Sequence, residues 1–341
     1  MPSIVITGTG SYWPEKILTN QDLEKMVDTS DEWIRTRTGI SERRIAALEQ
    51  ASSDLMVPAA EKALAMANRK IEEIDLIITS WSWPDAFVPG TSDIFAEKIG
   101  APKNLLAQDF TAQCAGFVWA LGWAYDKMRL YPKKYQRVLL VSGDVTTKFV
   151  DDKDRNTCPL FGDGAGALIL EYLDIEGYGI LGYLEASDRN FLDCLSVPAG
   201  GTAKPASYET ILNREHFMRF GPKGGSPMLK AIVPIIPKLM QDLCAEIGIE
   251  PSEVDLIIPH QLNQRIIDPA KKRLKKLGIG IYDRNIARYG NCSGSSVAMA
   301  LDTAYREGLI EKGDHIQLQS YGAGLKYGTV AVRWWLEKFQ E

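Results

Sequence analysis

Ile74-Asp75-Leu76-Ile77-Ile78-Thr79 returns 180 residues later as Val254-Asp255-Leu256-Ile257-Ile258-Pro259, and that return decides the fold. A segment with helical apolar spacing precedes each copy, 59–68 before the first and 239–247 before the second, so each reads as helix then buried strand. Two further segments recur in the same order. Gln113-Cys114-Ala115-Gly116 is echoed by Asn291-Cys292-Ser293-Gly294 at an offset of 178, and each leads into a helix of small residues. Arg137-Val138-Leu139-Leu140-Val141-Ser142-Gly143 is echoed by His315-Ile316-Gln317-Leu318-Gln319-Ser320-Tyr321, again at 178. One such match arises easily by chance; three in register mean a duplicated chain.

Continuous apolar strands alternating with helices imply sheets covered on both faces, so each half is expected to be a layered α/β unit. The boundary is placed near residue 173, giving a half at 1–173 that carries the cysteine and a half at 174–341 that carries a histidine and an asparagine. No Ser/Pro linker separates them, and one rigid body is expected. The two small-residue helices are apolar nearly all round, at Phe117, Val118, Trp119, Ala120 and at Val297, Ala298, Met299, Ala300. That pattern predicts burial at the centre, with both N-termini flanking one site.

Composition sets outer bounds. A chain of 341 residues with 45% hydrophobic content can bury a large core. A formal net charge of -5 argues against general nucleic-acid or anionic-membrane binding. The N-terminal sequence lacks the charged-then-apolar layout of a signal peptide, and no run approaches the length of a transmembrane helix. Five cysteines without a Cys-x-x-Cys pair or His/Cys ligand spacing lead us to expect a reducing, cytoplasmic setting and no metal.

Polar residues interrupt the apolar framework at few places. Cys114 follows an extended apolar stretch and precedes a helix, so the helix dipole and unpaired N–H groups are expected to favour thiolate and lower its pKa below about 8.5. A structural core cysteine is the alternative. Of the three histidines, His260 lies with Asn263 just after the strand 254–259, where α/β proteins place catalytic groups. His216, in a polar insertion, and His315, opening a strand, read as structural. Asn291 is an ordinary helix cap on its own. If the two helix N-termini converge, Cys114 gains two hydrogen-bond donors in His260 and Asn291, able to hold a developing oxyanion. Finally, five basic residues fall within 271–276. On a helix, Ala270, Leu274 and Leu277 form its buried stripe, leaving Lys272, Arg273, Lys275 and Lys276 in water as a solvated face or a docking patch.

Together with Asp31-Glu32-Trp33-Ile34-Arg35-Thr36-Arg37-Thr38-Gly39-Ile40, Phe161-Gly162-Asp163-Gly164-Ala165-Gly166-Ala167 and Tyr289-Gly290-Asn291, these motifs resemble the thiolase-fold condensing enzymes, above all the β-ketoacyl-acyl carrier protein synthase III family, over nearly the whole chain. The resemblance implies a five-layered αβαβα thiolase-like fold from two duplicated halves and a catalytic triad at Cys114, His260 and Asn291. It also implies coenzyme A contacts at Trp33, Arg37 and Arg155, a substrate contact at Asn263, an acyl-pocket residue at or next to Phe87, and an oxyanion hole from the N–H of Cys114 and one from Gly322-Ala323. The implied reaction transfers an acyl group from coenzyme A to Cys114. A malonyl thioester then loses CO₂ while His260 and Asn291 hold its enolate, and the carbanion attacks acyl-Cys114. No metal or redox cofactor takes part. A homodimer is implied, with an acidic acyl carrier protein steered to Arg265, Lys272, Lys275 and Lys276. Fold alone also allows ester- or amide-forming acyl transfer, hydroxymethylglutaryl-CoA formation, or an inactive partner subunit.

The departures bear on specificity. The family's usual Gly-Asn-Thr-Ser-Ala-Ala-Ser is Gly290-Asn291-Cys292-Ser293-Gly294-Ser295-Ser296 here, and its Phe-Gly-Gly-Gly is Tyr321-Gly322-Ala323-Gly324. The segment 219–227 looks expanded. Trp81 and Trp83 stand where the resemblance places small or hydroxyl residues. If the segment is extended, both indoles point to one face and fill or line the acyl pocket, or else pack under a loop or in a dimer interface.

Overall fold

The computed structural model describes residues 3–222 and 224–339. Lys223, within the segment expected to be expanded, lies outside the described residues. The duplicated strands build two five-stranded sheets. In the first, the order is Ser3–Tyr12, Gly164–Leu173, Arg137–Asp144, Leu76–Ser80, Leu106–Phe110. In the second it is Gly179–Ser187, Lys326–Arg333, His315–Gly322, Leu256–Pro259, Gly280–Ile281. Directions match as well as order. In each sheet the first two strand pairings are antiparallel and the last two are parallel, the third strand taking part in both kinds.

Five layers follow from which faces are apolar. The helices Gly116–Leu130 and Ser296–Arg306 share one core with both sheets, where Phe117, Leu121, Val297 and Leu301 meet Ile78, Leu140, Ile258 and Leu318. The opposite face of the first sheet is covered by Ser52–Met66 and Thr91–Lys98, packed on Ile77, Leu139 and Ile169. The opposite face of the second sheet is covered by Ser226–Ile247 and Gln264–Leu274, packed on Ile257. Alternate strand residues therefore serve different layers, which is why the strands read as unbroken apolar runs.

Two local expectations change. Leu277 is 46% exposed rather than part of the buried stripe. The helix ends at Leu274, a 3₁₀ turn follows at Lys275–Leu277, and left-handed Gly278 (φ 78°) ends that turn, so the helical spacing no longer applies. The central helix begins at Gly116, not at the cysteine, leaving Cys114 in the turn before it. Within the second sheet's sequence, between its strands Gly179–Ser187 and Leu256–Pro259, lies a segment of short elements, including Arg189–Cys194, Leu195–Ser196, Tyr208–Leu212 and Arg219–Phe220. No helix among the described residues is long and apolar enough to cross a membrane.

Candidate active site

Cys114 is placed by strain and close approach. Gln113 before it holds a left-handed φ of 56°, unusual for a non-glycine residue. The end of the strand His315–Gly322 packs on the same turn. A Cβ on Gly322 would stand 3.1 Å from Cys114 N and 3.0 Å from Ala115 N, so a glycine lets backbone meet backbone there. Cys114 opens onto a cavity of about 360 Å³ together with Trp83, Thr146, Ser293, Ala323 and Gly324. Leu192, Leu195 and Met218 from the inserted segment close its other side.

The turn at Asn291–Ser296 gathers the remaining polar residues. Asn291 is buried, and its Oδ1 accepts from Ser293 N–H at 2.9 Å, which leaves the Nδ2 amino group as the donor. Ser293, itself at φ 50°, sets its Oγ 3.3 Å from Cys114 Sγ. His260 follows the strand Leu256–Pro259, is 2% exposed, and donates its backbone N–H to Gln319 O at 2.7 Å. Its Nδ1 bonds Ser296 Oγ, while Nε2 is buried without a partner among the described residues. Thus Cys114, Asn291 and His260 converge on one turn through Ser293 and Ser296. His260 and Asn291 do not themselves line the 360 Å³ cavity.

Electrostatics overturns one expectation. Burial pushes the Cys114 thiol up to about 11; nearby Asp144 adds to the rise, and the Ser293 hydrogen bond opposes it. Desolvation thus sets the direction; Cys114 also precedes the first helical residue, Gly116, and faces a carboxylate. Burial alone drives His260 down to about 3, so its imidazole is neutral near pH 7.

Asp144, Ser82, Ser293 and Ser296 escaped the sequence reading. Asp144 ends the strand Arg137–Asp144 and is fully buried. Its Oδ1 accepts N–H bonds from Ser82 at 2.7 Å and Trp83 at 3.2 Å, and its Oδ2 accepts from Gly294 at 2.9 Å. One signal was available: a carboxylate at the end of an otherwise apolar strand, at the position that Gly322 occupies in the repeat.

The same carboxylate corrects the reading of the tryptophans. Because the chain bends around Asp144 at residues 82–83, the segment is not extended and the two indoles part. Trp81 donates Nε1–H to Asp109 Oδ1 at 2.6 Å and packs against the outer core of the first sheet. Trp83 lines the cavity, stacked on Phe149 with centroids 4.3 Å apart and planes 12° from parallel. Phe87 does not reach that cavity: it is 85% exposed, in a loop anchored by Asp85, which accepts from Ser53 N–H at 3.1 Å.

A second space, a groove of about 690 Å³, carries Trp33, Arg37, Asn156, Phe220, Asn263 and Arg265. Trp33 stands on the helix Asp31–Thr38, capped by Ser30 Oγ accepting from Trp33 N–H at 3.1 Å. The Arg37 and Arg155 guanidinium carbons lie 5.9 and 5.2 Å from the Trp33 ring centroid, making a cationic, aromatic surface suited to a nucleotide. Asn263 is buried and caps the next helix, its Oδ1 accepting from Arg265 N–H at 2.9 Å. Further along that helix, Lys271 pairs with Asp283 at 2.5 Å, while Lys272, Arg273, Lys275 and Lys276 are exposed.

Residues 108–188 match the family model described as 3-oxoacyl-[acyl-carrier-protein] synthase III, and residues 244–334 match the model of its C-terminal part. The β-ketoacyl-[acyl-carrier-protein] synthase III of Caldanaerobacter subterraneus is 45% identical over 96% of this chain and 97% of its own length. The protein of that name from Fusobacterium nucleatum is 40% identical over 98% of this chain and 99% of its own. Among solved structures, 3-oxoacyl-[acyl-carrier-protein] synthase III from Aquifex aeolicus superposes with a TM-score of 0.84 at 36% identity, covering 97% of this chain and 100% of the other.

Proposed function

This chain belongs to the β-ketoacyl-acyl carrier protein synthase III family of thiolase-fold condensing enzymes, and from that premise we propose how its own residues divide the reaction. Cys114 is the nucleophile that takes the acyl group from coenzyme A. Backbone N–H groups of Cys114 and of Gly322-Ala323 hold the tetrahedral oxyanion. The malonyl thioester then enters and loses CO₂, and His260 Nε2–H and Asn291 Nδ2–H donate to the thioester oxygen as the enolate forms. The Ser296 hydroxyl, donating to Nδ1, keeps the proton of the neutral imidazole on Nε2. The carbanion attacks acyl-Cys114 and releases a β-ketoacyl thioester.

The observation that carries this division is the turn Asn291–Ser296. It sets Ser293 against Cys114, commits Asn291 Oδ1, and occupies His260 Nδ1, so one donor on each of the two residues is left for substrate. A condensing reaction uses both donors; transfer to an alcohol or amine needs neither. The groove lined by Trp33 and Arg37, with Arg155 over the Trp33 ring beside it, takes the nucleotide end of coenzyme A, and Asn263 lines the same groove. Lys272, Lys275, Lys276 and Arg265 steer an acidic acyl carrier protein to its mouth. A homodimer forms over the open edge of the first sheet, where Leu106–Phe110 pairs on one side only and Leu106 is 45% exposed. Pairing there gives Phe87 and Val88, exposed by 85% and 86%, a second copy to pack on. The chain works in the cytoplasm.

Intact-protein mass after exposure to a panel of acyl-CoAs, followed by product analysis with malonyl-CoA and malonyl carrier protein, tests this reading. Acylation at Cys114 and a β-ketoacyl product are expected. An acylated protein that only yields ester, amide or free acid overturns it.

A further inference from the structure

An uncharged thiol pushed up to about 11 must lose its proton to react, and the triad offers no good acceptor for it. His260 is a poor base, its Nδ1 taken by Ser296 and its cationic form disfavoured by burial. Asn291 does not titrate.

A different chain of groups reaches the sulfur. Cys114 Sγ is 3.3 Å from Ser293 Oγ, Ser293 Oγ is 2.8 Å from Ser82 Oγ, and Ser82 Oγ is 3.5 Å from Asp144 Oδ2. Each hydroxyl has one neighbour to accept from and one to donate to. The directions therefore run one way, from S–H to Ser293, to Ser82, to the carboxylate. Three backbone N–H bonds, from Ser82, Trp83 and Gly294, fix that carboxylate as an acceptor at the end of the chain. Both serines also line the cavity that Cys114 opens onto.

We propose that Ser293, Ser82 and Asp144 form the route by which the Cys114 thiol loses its proton during self-acylation. The proposal rests on Cys114 being the nucleophile. As Sγ bonds to the acyl carbonyl carbon, its proton passes to Ser293 Oγ, that of Ser293 to Ser82 Oγ, and that of Ser82 to Asp144 Oδ2. The tetrahedral intermediate then breaks its bond to the coenzyme A sulfur, which leaves with the electron pair. The proton returns through the same two hydroxyls to that thiolate. The net change is acyl-CoA and thiol to acyl-cysteine and coenzyme A, with Asp144 restored. Ser293 touches the reacting sulfur; Ser82 and Asp144 act through it.

Asp144 is suited to this work because burial raises it to about 7, against the three N–H bonds that lower it. The titratable groups that face it are Asp163, Cys114 and Cys292; Asp163 adds to its rise.

Iodoacetamide alkylation of Cys114, followed by peptide mass across pH 5.5 to 9, reads thiol deprotonation without coenzyme A or malonyl thioester. It therefore stands apart from the acyl-CoA product assay. The wild-type rate is expected to rise with an inflection near pH 7. Ser82→Ala keeps the backbone bonds to Asp144 but cuts the chain, so the rate should fall about a hundred-fold and lose that inflection. Ser82→Thr keeps a hydroxyl and should restore both. Alkylation of Ser82→Ala at the wild-type rate with the wild-type profile overturns the route, as does a Ser82→Thr protein no faster than the alanine variant.

Discussion

Cys114 Sγ stands 3.3 Å from Ser293 Oγ, and the two residues come from equivalent turns of the two halves, 179 positions apart. Both turns use a non-glycine residue with positive φ, Gln113 at 56° and Ser293 at 50°. Backbone strain of this kind persists where surrounding structure fixes it. Here the fixing comes from Gly322 against Cys114 and from the Gly294 bond to Asp144. The Cys114 thiol is thus held by the second half as much as by its own.

The first consequence is a separation of steps. Cys114→Ala should abolish labelling by acyl-CoA. Asn291→Ala should still acylate but lose malonyl decarboxylation by about 10²-fold, as expected for removing one donor from a developing oxyanion. Mass spectrometry and CO₂ release read the two steps, and acylation that survives in Cys114→Ala would place the nucleophile elsewhere.

The tryptophans should behave differently from each other. Trp83→Ala widens the cavity at Cys114 and should favour longer acyl-CoAs, by about 10-fold or more for each methylene newly accommodated. Trp81→Ala leaves the acyl range unchanged and lowers the melting temperature, since it removes the bond to Asp109 and core packing. The rates at which Cys114 is labelled across a chain-length series decide between them; equal profiles for wild type and Trp83→Ala would remove the indole from the pocket wall.

Carrier-protein steering is testable away from the groove at Trp33 and Arg37. Arg265 lines that groove, so its reversal would not separate docking from a change in the groove itself. Lys272→Glu with Lys276→Glu changes only exposed charge. The pair should raise KM for malonyl carrier protein about 10-fold at low salt, less at high salt, and leave acyl-CoA labelling intact. Equal loss of both activities would count against docking.

His260 makes stability depend on pH. Its folded pKa, about 3, lies below the ordinary imidazole value of 6.5, so between those values the unfolded chain binds the extra proton. Its contribution is present above pH 6.5 and is lost as pH falls toward 3. Relative to His260→Gln, the wild type should lose about 2 kcal/mol of stability between pH 6.5 and 4.5. Urea unfolding of both proteins at the two pH values measures the difference, and a pH-independent gap would contradict a buried neutral imidazole. Asp144 and Asp163, raised to about 7 and 6, slope the other way over this range in both proteins and cancel in the comparison.

Asp302 ties the halves together from the central helix. It is 1% exposed, accepts from Thr9 Oγ1 at 2.7 Å and Ser11 Oγ at 2.5 Å, and pairs with Arg306 at 3.0 Å. Asp302→Ala strands two buried hydroxyls and a cation, and should cost about 3 kcal/mol in chemical unfolding. A loss below about 0.5 kcal/mol would show the network to be redundant.

The sequence by itself determined the duplication and the layered sheets; that Cys114, His260 and Asn291 meet followed only if the two helix N-termini converge, which is a tertiary matter. Apolar runs and repeated motifs are local, and the strand Val254-Asp255-Leu256-Ile257-Ile258-Pro259 reads the same wherever it packs. The roles expected of Trp33, Arg37 and Arg155 came from the family resemblance alone; the structure brings the Trp33 ring and the two guanidiniums together. What the tertiary structure decided is where loops turn and what burial does to charge. The bend that parts Trp81 from Trp83 comes from Asp144, 62 positions from Ser82, and the same carboxylate bonds Gly294, 150 positions away. The helix start after Cys114 was readable in outline, but the sign of its pKa shift was not. Desolvation depends on every atom that excludes water from the thiol, and those atoms come from both halves of the chain.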